Sequence, residues 1–414
     1  MMRDIPLSFI RNLMSPTNIT KVKNGEVFTP FSVIKEKMEA LDKHTDVLSN
    51  ADPYKKWLDP AGGIGNYPLY LYHLLMTNLK DYKDAEIDLT NEENRKKHIL
   101  EKMIYYAELT TLNVSIYKKL IDPLNNYKLN IYQGSSIEYN AETKKYILEE
   151  YFDTKFDFVI GNPPFNGGLW KSFMDLSHNI LNKNSYVLFI HPGTWRFPPI
   201  NKDMFKYDIL QLNIYDDGAS KKLFKGGAEI QVDYYIFRNT ITPGLKTQII
   251  SNINREKITN EITFIDIKKL PFCPNYGYEI FSKYFKNYVS DDNLFAYMNK
   301  TKIKSLGTDE TQIIHNIRQN NEIVFGYTNE TSEKTLKNIK KVLISVGRNV
   351  YAIYDEGQYG ISDNIFYIQV EDELKANNII TLITSTDFVK MIRYSKGSSP
   401  FTPNFIFKLM KNVM

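Results

Sequence analysis

Four consecutive residues, Asn162-Pro163-Pro164-Phe165, could hold a planar amino group such as the exocyclic amine of adenine. The lone pair of that amine is delocalised into the ring, so an enzyme that methylates it must draw electron density back to nitrogen with two hydrogen-bond acceptors. The side-chain carbonyl of Asn162 is one acceptor. The main-chain carbonyl of Pro163 is the second, because each proline fixes its own φ and keeps the preceding residue extended. Phe165 offers a face for base stacking, a contact worth roughly 1–3 kcal/mol. The alternative interpretation is an ordinary turn that ends a strand.

A strand, a glycine-rich turn and a helix are predicted upstream of this tetrapeptide. Lys56–Leu58 leads into the turn Asp59–Asn66, and the apolar segment Tyr67–Leu79 follows. Glycines let a ligand approach the backbone closely at a helix N-terminus. A second predicted strand, Met103–Ala107, ends at Glu108, which is suited to binding ribose hydroxyls. The turn lacks the G-x-G-x-x-G spacing, so a nucleoside without phosphate is favoured over a dinucleotide.

Further elements are predicted on both sides of these motifs. Thr29-Pro30 precedes a segment with helical apolar spacing, which places Pro30 at the first helical position. The N-terminus of that helix would attract a carboxylate. Ser185–Ile190 is predicted as a buried strand, and Asp208–Tyr215 and Ile230–Phe237 as the last two strands of the sheet. His191, which follows Ser185–Ile190, is interpreted as a structural histidine, because no general base is needed for this reaction.

The order of these motifs resembles that of amino-group DNA methyltransferases whose cofactor motifs precede the catalytic motif and whose target recognition domain follows. The set is most similar to the N6-adenine members, including the methyltransferase parts of restriction–modification enzymes, over about residues 20–240. The matching motifs are Thr29-Pro30, Asp59-Pro-Ala-Gly-Gly-Ile-Gly65, Glu108, Gly134-Ser135 and Asn162-Pro-Pro-Phe165. The resemblance implies an α/β fold with a Rossmann-like, mostly parallel methyltransferase sheet whose last strand is antiparallel, plus a mixed α+β C-terminal domain.

The resemblance also implies S-adenosylmethionine as the methyl donor. The implied cofactor-binding residues are Thr29, Pro30, Asp59, Ala61, Gly63, Gly65, Glu108, Ser135 and Asn162. The implied catalytic residues are Asn162, Pro163, Pro164, Phe165 and Phe224. Phe224 would be a second aromatic against the flipped base, and a core residue is the alternative. Ser135 departs from the family, which commonly has Asp there, although a hydroxyl can also accept a hydrogen bond from the cofactor's adenine amine.

Two domains are predicted, a catalytic domain at residues 1–240 and a target recognition, DNA-binding domain at residues 241–414. The boundary is placed at the Pro-Gly pair in Thr240–Lys246. The second domain has four short β-rich runs, namely Ile323–Tyr327, Val342–Val346, Val350–Tyr354 and Ile365–Val370. Ala376–Tyr394 is predicted to be a helix. A dimerisation or partner-binding domain is the alternative. Glu373-Leu374-Lys375 is interpreted as the charged start of the helix rather than as a nuclease motif.

Composition excludes several classes of protein. The chain has 414 residues, of which 43% are hydrophobic, enough for two domains with cores. A single cysteine, Cys273, excludes a disulfide framework and argues against a cytosine-C5 methyltransferase, which needs a catalytic thiol. The six histidines show no paired ligand spacing, so no metal is expected. The segment 1–15 has no signal sequence and no apolar run could span a bilayer, so a cytoplasmic protein without membrane contact is expected.

The sequence therefore predicts a site-specific adenine-N6 DNA methyltransferase that transfers methyl from S-adenosylmethionine to a flipped adenine in double-stranded DNA. It would be part of, or derived from, a restriction–modification system, and a separate restriction endonuclease is a candidate partner. Two alternatives stay open. One is a methyltransferase for another planar amino group, namely guanine N2 in RNA or the glutamine amide of release factors. The other is a catalytically inactive DNA-binding homologue. The formal charge of +4 adds little support for nucleic-acid binding.

Overall fold

The chain folds into two compact units, residues 1–269 and 270–414. The computed structural model describes residues 29–196, 207–224, 230–253, 256–263, 273–275, 277, 279–281, 294–305, 311–346, 350–395 and 406–407. The segment 1–15, on which the expectation about a signal sequence rests, lies outside these residues. No helix in the described ranges is both long and apolar enough to cross a membrane.

A nine-stranded sheet forms the centre of the first unit. Its strands are β1 (Trp57–Asp59), β2 (Ile104–Glu108), β3 (Asn130–Gln133), β6 (Phe156–Gly161), β7 (Leu181–Pro192), β8 (Asp208–Tyr215), β9 (Val232–Arg238), β10 (Lys246–Ile253) and β11 (Glu256–Thr263). They lie in the order β11-β10-β8-β9-β7-β6-β1-β2-β3. Strands β3, β2, β1, β6 and β7 are parallel to one another, whereas β9 is antiparallel to both β7 and β8. The predicted Rossmann-like, mostly parallel sheet is confirmed.

The edge of this sheet that contains β10 and β11 differs from the prediction. Strand β9 lies inside the sheet, and β10 and β11 extend it beyond β8. The predicted boundary at residue 240 is therefore too early, because this hairpin pairs with the nine-stranded sheet and the first compact unit continues to residue 269. The Pro-Gly pair near the predicted boundary makes a tight connection from β9 to β10 instead of a linker between domains.

Helices cover the sheet of the first unit. They are α1 (Phe31–Thr45), α2 (Asn66–Asn78), α3 (Glu92–His98), α4 (Thr111–Ile121), α5 (Ile147–Phe152), α6 (Leu169–Ile180) and α7 (Asp217–Leu223), with a short hairpin of β4 (Tyr139–Asn140) and β5 (Lys145–Tyr146) before α5. Helix α1 begins one residue after the predicted position. Pro30 is its N-cap, and the Pro30 carbonyl accepts hydrogen bonds from the N–H groups of Val33 and Ile34. Val33, Met38 and other apolar residues of α1 are buried in the core.

The second unit is a mixed α+β structure with two small sheets. Its strands are β12 (Asn299–Lys300), β13 (Thr311–Ile317), β14 (Ile323–Thr328), β15 (Lys341–Val346), β16 (Val350–Asp355), β17 (Gly360–Ile361) and β18 (Ile365–Gln369). They pair in the orders β12-β18-β15-β16 and β14-β13-β17. All four predicted β-rich runs are strands.

The predicted single helix at Ala376–Tyr394 is instead two helices, α8 (Glu373–Ile383) and α9 (Thr386–Ser395). The break follows from Ser385, whose hydroxyl accepts a hydrogen bond from the Phe388 N–H at 3.4 Å and so starts a new helix. At the start of α8, the Asp372 carboxylate caps the helix by accepting from the Lys375 N–H at 2.8 Å. Glu373-Leu374-Lys375 is thus a helix start, as the sequence indicated.

Candidate active site

The carboxyl ends of three neighbouring parallel strands converge on one cavity of about 390 Å³. Asp59 ends β1, Glu108 ends β2 and Asn162 follows β6. Ligands of open α/β sheets bind at this edge, where the strands end and the connections diverge. Eight residues predicted for the site line the cavity, namely Thr29, Asp59, Ala61, Gly63, Glu108, Ser135, Asn162 and Pro164.

The glycine-rich turn after β1 is tied to the end of β2 by two hydrogen bonds. The Gly62 N–H donates to the Ala107 carbonyl at 3.0 Å, and the Gly63 N–H donates to Glu108 Oε2 at 2.9 Å. Gly62 must lack a side chain, because a Cβ there would lie 2.2 Å from the ring of Tyr106. Gly65, the N-cap of α2, has a φ of +91° in the left-handed region. The turn is therefore held by hydrogen bonds, and its glycines let a ligand approach the backbone closely.

Asp59 and Glu108 place two carboxyl groups in the cavity. Asp59 is 2% exposed, and its Oδ1 accepts from the Ala61 N–H at 3.1 Å. Burial raises the pKa of Asp59 to about 8, and the nearby Glu108 acts in the same direction against the opposing hydrogen bond from Ala61. Glu108 also accepts from the Thr110 N–H at 2.8 Å. A cation beside these two groups would be stabilised.

The structure adds polar residues that the sequence did not single out. Asn66, the first residue of α2, donates from Nδ2 to the Thr29 carbonyl at 3.0 Å. Its Oδ1 is buried and accepts no hydrogen bond from the described residues, although Asn66 lines the cavity. Ser136 Oγ donates to the Pro60 carbonyl at 2.6 Å. The position of Asn66 immediately after Gly65 was the available signal, since the first turn of a helix after a glycine-rich loop faces the ligand.

Five predicted residues are not among those lining the cavity. Pro30 and Gly65 shape the helix starts beside it, as described above. Pro163 is buried, and Phe165 is half-buried against the core of the first unit. Phe224 is 6% exposed and belongs to the same core, which agrees with the alternative of a core residue. A stacking role for Phe165 or Phe224 stays a prediction.

Comparison with known proteins shows which family the residues around this site match. Residues 11–215 match the N-6 DNA Methylase family. An uncharacterized adenine-specific methylase of Mycoplasma pneumoniae is 24% identical over an alignment of 325 positions, which covers 59% of this chain and 74% of that protein. Residues 11–215 belong to the N-6 DNA methylase family. The tetrapeptide after β6 and the turn after β1 both lie within this family segment.

Solved structures extend the likeness to both units. The Type IIL restriction-modification enzyme MmeI in complex with DNA aligns with a TM-score of 0.56 and 12% identity, over 94% of this chain and 66% of that chain. A nuclease-deletion mutant of the Type ISP restriction-modification enzyme LlaGI aligns with a TM-score of 0.58 and 13% identity, over 98% of this chain and 55% of that chain. The chain thus spans between half and two thirds of the length of these structures, and the likeness shows a shared fold.

His191 is a buried residue that is not among those lining the cavity. It is fully buried at the end of β7, and the Tyr235 hydroxyl lies 3.2 Å from its Nδ1. Burial lowers the pKa of His191 to about 3, and the nearby Lys37 lowers it further. Its imidazole is therefore neutral at physiological pH, which supports the structural interpretation of this histidine.

Proposed function

We propose that this chain is a DNA methyltransferase that transfers a methyl group from S-adenosylmethionine to N6 of adenine. The observation that carries the proposal is the single cavity at which Asp59, Glu108 and Asn162 meet at the ends of adjacent strands. Membership of residues 11–215 in the N-6 DNA methylase family and the likeness to an adenine-specific methylase support it.

The side chains of the cavity fit S-adenosylmethionine. Among the described lining residues there are two carboxyl groups and no lysine or arginine, which suits a cationic nucleoside better than a phosphorylated one. Glu108 keeps acceptor capacity beyond its two backbone hydrogen bonds and would bind the ribose hydroxyls. Asp59 and the buried Asn66 Oδ1 would accept from the amino group of the methionine moiety.

The adenine portion of the cofactor requires flat apolar contacts and one acceptor. Leu109 is 69% exposed although it is a large apolar residue, and it lines the cavity together with Ile137. These side chains would cover the two faces of the purine. Ser135, also in the lining, would accept from its exocyclic amine in place of the aspartate common in the family.

The residues after β6 would activate the amine of the target base. Adenine must leave the duplex stack at a cost of a few kcal/mol before its amine can reach a methyl donor. The carbonyl groups of Asn162 and Pro163 would then accept its two N–H bonds and return electron density to the nitrogen. The bound cofactor supplies the methyl group as an electrophilic sulfonium. Positioning supplies much of the acceleration, and the methylated amine loses its proton to solvent.

Space at the end of β6 is needed for the cofactor site. A Cβ on Gly161 would lie 2.8 Å from Asp59 Oδ1, so Gly161→Ala should displace that carboxyl group. We expect the affinity for S-adenosylmethionine, measured by calorimetry, to fall about tenfold or more, equivalent to about 1.4 kcal/mol. Gly218→Ala is the matched control, because its nearest contact would be an ordinary 3.5 Å. Equal affinities in the two variants would contradict the role given to Asp59.

The second unit is proposed to recognise the DNA target. MmeI was solved in complex with DNA and LlaGI with a DNA substrate mimic, and both align with most of this chain. The two units of this chain would accordingly act as catalytic domain and target recognition domain. A separate restriction endonuclease is a further proposed partner, as in restriction–modification systems.

Mapping of modified bases tests the proposed function directly. We expect that expression of the chain in a host lacking adenine methylation will produce N6-methyladenine within one defined sequence motif. Unmodified DNA together with methylated RNA guanine or release-factor glutamine would favour another planar amino group as the substrate. Cofactor binding without transfer to any of these would indicate a catalytically inactive homologue.

A further inference from the structure

A second cavity, of about 570 Å³, lies in the second unit and is rich in lysine. The residues of its lining that carry charge or a phenol are Lys300, Lys302, Lys304, Glu330, Lys334 and Tyr367. Nothing in the methyl-transfer site uses these residues. Four ammonium groups against one carboxylate make this cavity a site for an anion.

Three of these lysines lie at alternate positions of one segment, residues 299–305. Strand β12 begins the segment and pairs antiparallel with β18. The Ile303 carbonyl accepts from the Asp363 N–H at 2.7 Å, and the Thr301 hydroxyl donates to the Ile361 carbonyl at 3.4 Å. Ile303 is buried, whereas Lys302 and Lys304 on either side of it are exposed. The segment is therefore held by its strand pairing and by contacts of Thr301 and Ile303, and it carries its lysines at every second position.

The lysine row, defined as Lys300, Lys302 and Lys304, has no ion-pair partner among the described residues. Glu330, the one carboxylate among the described lining residues, forms an ion pair with Lys334 at 2.8 Å. Among the residues described by the structure, no carboxylate lies within 4.0 Å of the lysine row. Lys300 Nζ lies 4.2 Å from the centroid of the Phe366 ring, which holds that ammonium group in place.

We propose that the lysine row binds consecutive phosphates along one strand of the DNA duplex, an inference that rests on the proposed function. Residues two apart on an extended chain are about 6.6 Å apart, from a rise of about 3.3 Å per residue. This spacing is comparable to that of neighbouring phosphates on one nucleic-acid strand. Lysine binds phosphate as a compact point charge, and phosphate contacts carry no base information, so the row sets the position of the duplex and contributes affinity independent of sequence.

The dependence of binding on salt measures these contacts. Each lost phosphate contact lowers the slope of log K against log salt concentration by about 0.9 in magnitude. For the full-length chain with Lys300→Gln, Lys302→Gln and Lys304→Gln combined, we expect the slope to fall by roughly 2 to 3. Fluorescence anisotropy with labelled DNA duplexes across a range of sodium chloride concentrations provides the slope. Affinity should fall by the same factor for duplexes with and without the methylated motif.

Two matched variants separate the lysine row from total charge. Lys80→Gln, Lys97→Gln and Lys390→Gln remove the same three charges at exposed positions outside both cavities, and the slope should stay within experimental error of the wild type. The triple arginine variant of the lysine row should keep the wild-type slope, because charge is retained. An unchanged slope in the glutamine variant of the row would overturn this inference, and so would an equal loss in the control triple. Methylation of DNA by the wild-type protein, measured separately, shows independently whether the proposed function holds.

Discussion

Replacement of Asn162 by alanine is expected to reduce methyl transfer to DNA by a factor of roughly 10² to 10³ or more, the range seen when one preorganised polar group of an active site is removed. The physical reason is that Asn162 supplies one of the two acceptors that return electron density to the amine, while Pro163 supplies only the other. Single-turnover transfer of a labelled methyl group to a duplex carrying the mapped motif measures the effect. Calorimetry measures cofactor affinity, which we expect to change little.

Two variants at neighbouring positions make this result specific. Asn162→Asp keeps an acceptor oxygen and should retain more transfer than Asn162→Ala. Asn166→Ala removes a carboxamide that lines the same cavity but lies beyond the prolines, and its transfer rate should stay within a few-fold of the wild type. Full transfer by Asn162→Ala would exclude this residue as an acceptor. It would leave the assignment of the cofactor cavity intact, because that assignment rests on Asp59 and Glu108.

The sequence predicted the elements whose signals are local. The turn from Asp59 to Asn66 could be recognised because its glycines have no other use in a strand-to-helix connection, and the structure shows Gly62 packed against the ring of Tyr106. Glu108 could be placed because a buried apolar run ends at it, and that run is β2. Parallel strands end at one edge of a sheet, so local order was enough to bring Asp59, Glu108 and Asn162 together.

Features that depend on packing at a distance could not be predicted. The hairpin of β10 and β11 looked like the start of a new domain, because a Pro-Gly pair marks a turn and does not reveal what the next strand pairs with. The burial of Phe224 follows from the core of the whole first unit, whereas three lysines lie within three residues of it in the sequence. Asn66 acquires its role from the Thr29 carbonyl, which is far away in the chain. Local pattern identified strands and turns, but tertiary contacts decided which side chains reach the cavity.

The Asp59 carboxyl group is expected to link pH to both cofactor binding and stability. Its pKa in the folded protein without ligand is raised to about 8 by burial, from an ordinary value of 3.8. A raised carboxyl pKa means that the folded state holds a proton that the unfolded state has lost, so the free energy of unfolding falls as pH rises from about 4 to about 8. Asp59→Asn removes this titration. At pH 8 we expect the variant to unfold at higher temperature or denaturant concentration than the wild type, with little difference near pH 4.

Cofactor binding should depend on pH in the opposite sense. A cationic amino group beside Asp59 favours its ionised form, so binding below pH 8 must release a proton, and affinity should rise with pH by up to about tenfold per unit until about pH 8. Calorimetry in two buffers of different ionisation enthalpy counts the released proton directly. Asp59→Asn should bind S-adenosylmethionine weakly and without proton release.

Glu108→Gln provides the sharper control. Because Glu108 helps to raise the pKa of Asp59, neutralising Glu108 should shift the rise in affinity to lower pH without abolishing it. Cofactor affinity that is constant from pH 6 to pH 9 in the wild type would show that Asp59 does not face the cationic end of the cofactor. The carboxyl group would then serve only to hold the turn through its hydrogen bond with the Ala61 N–H.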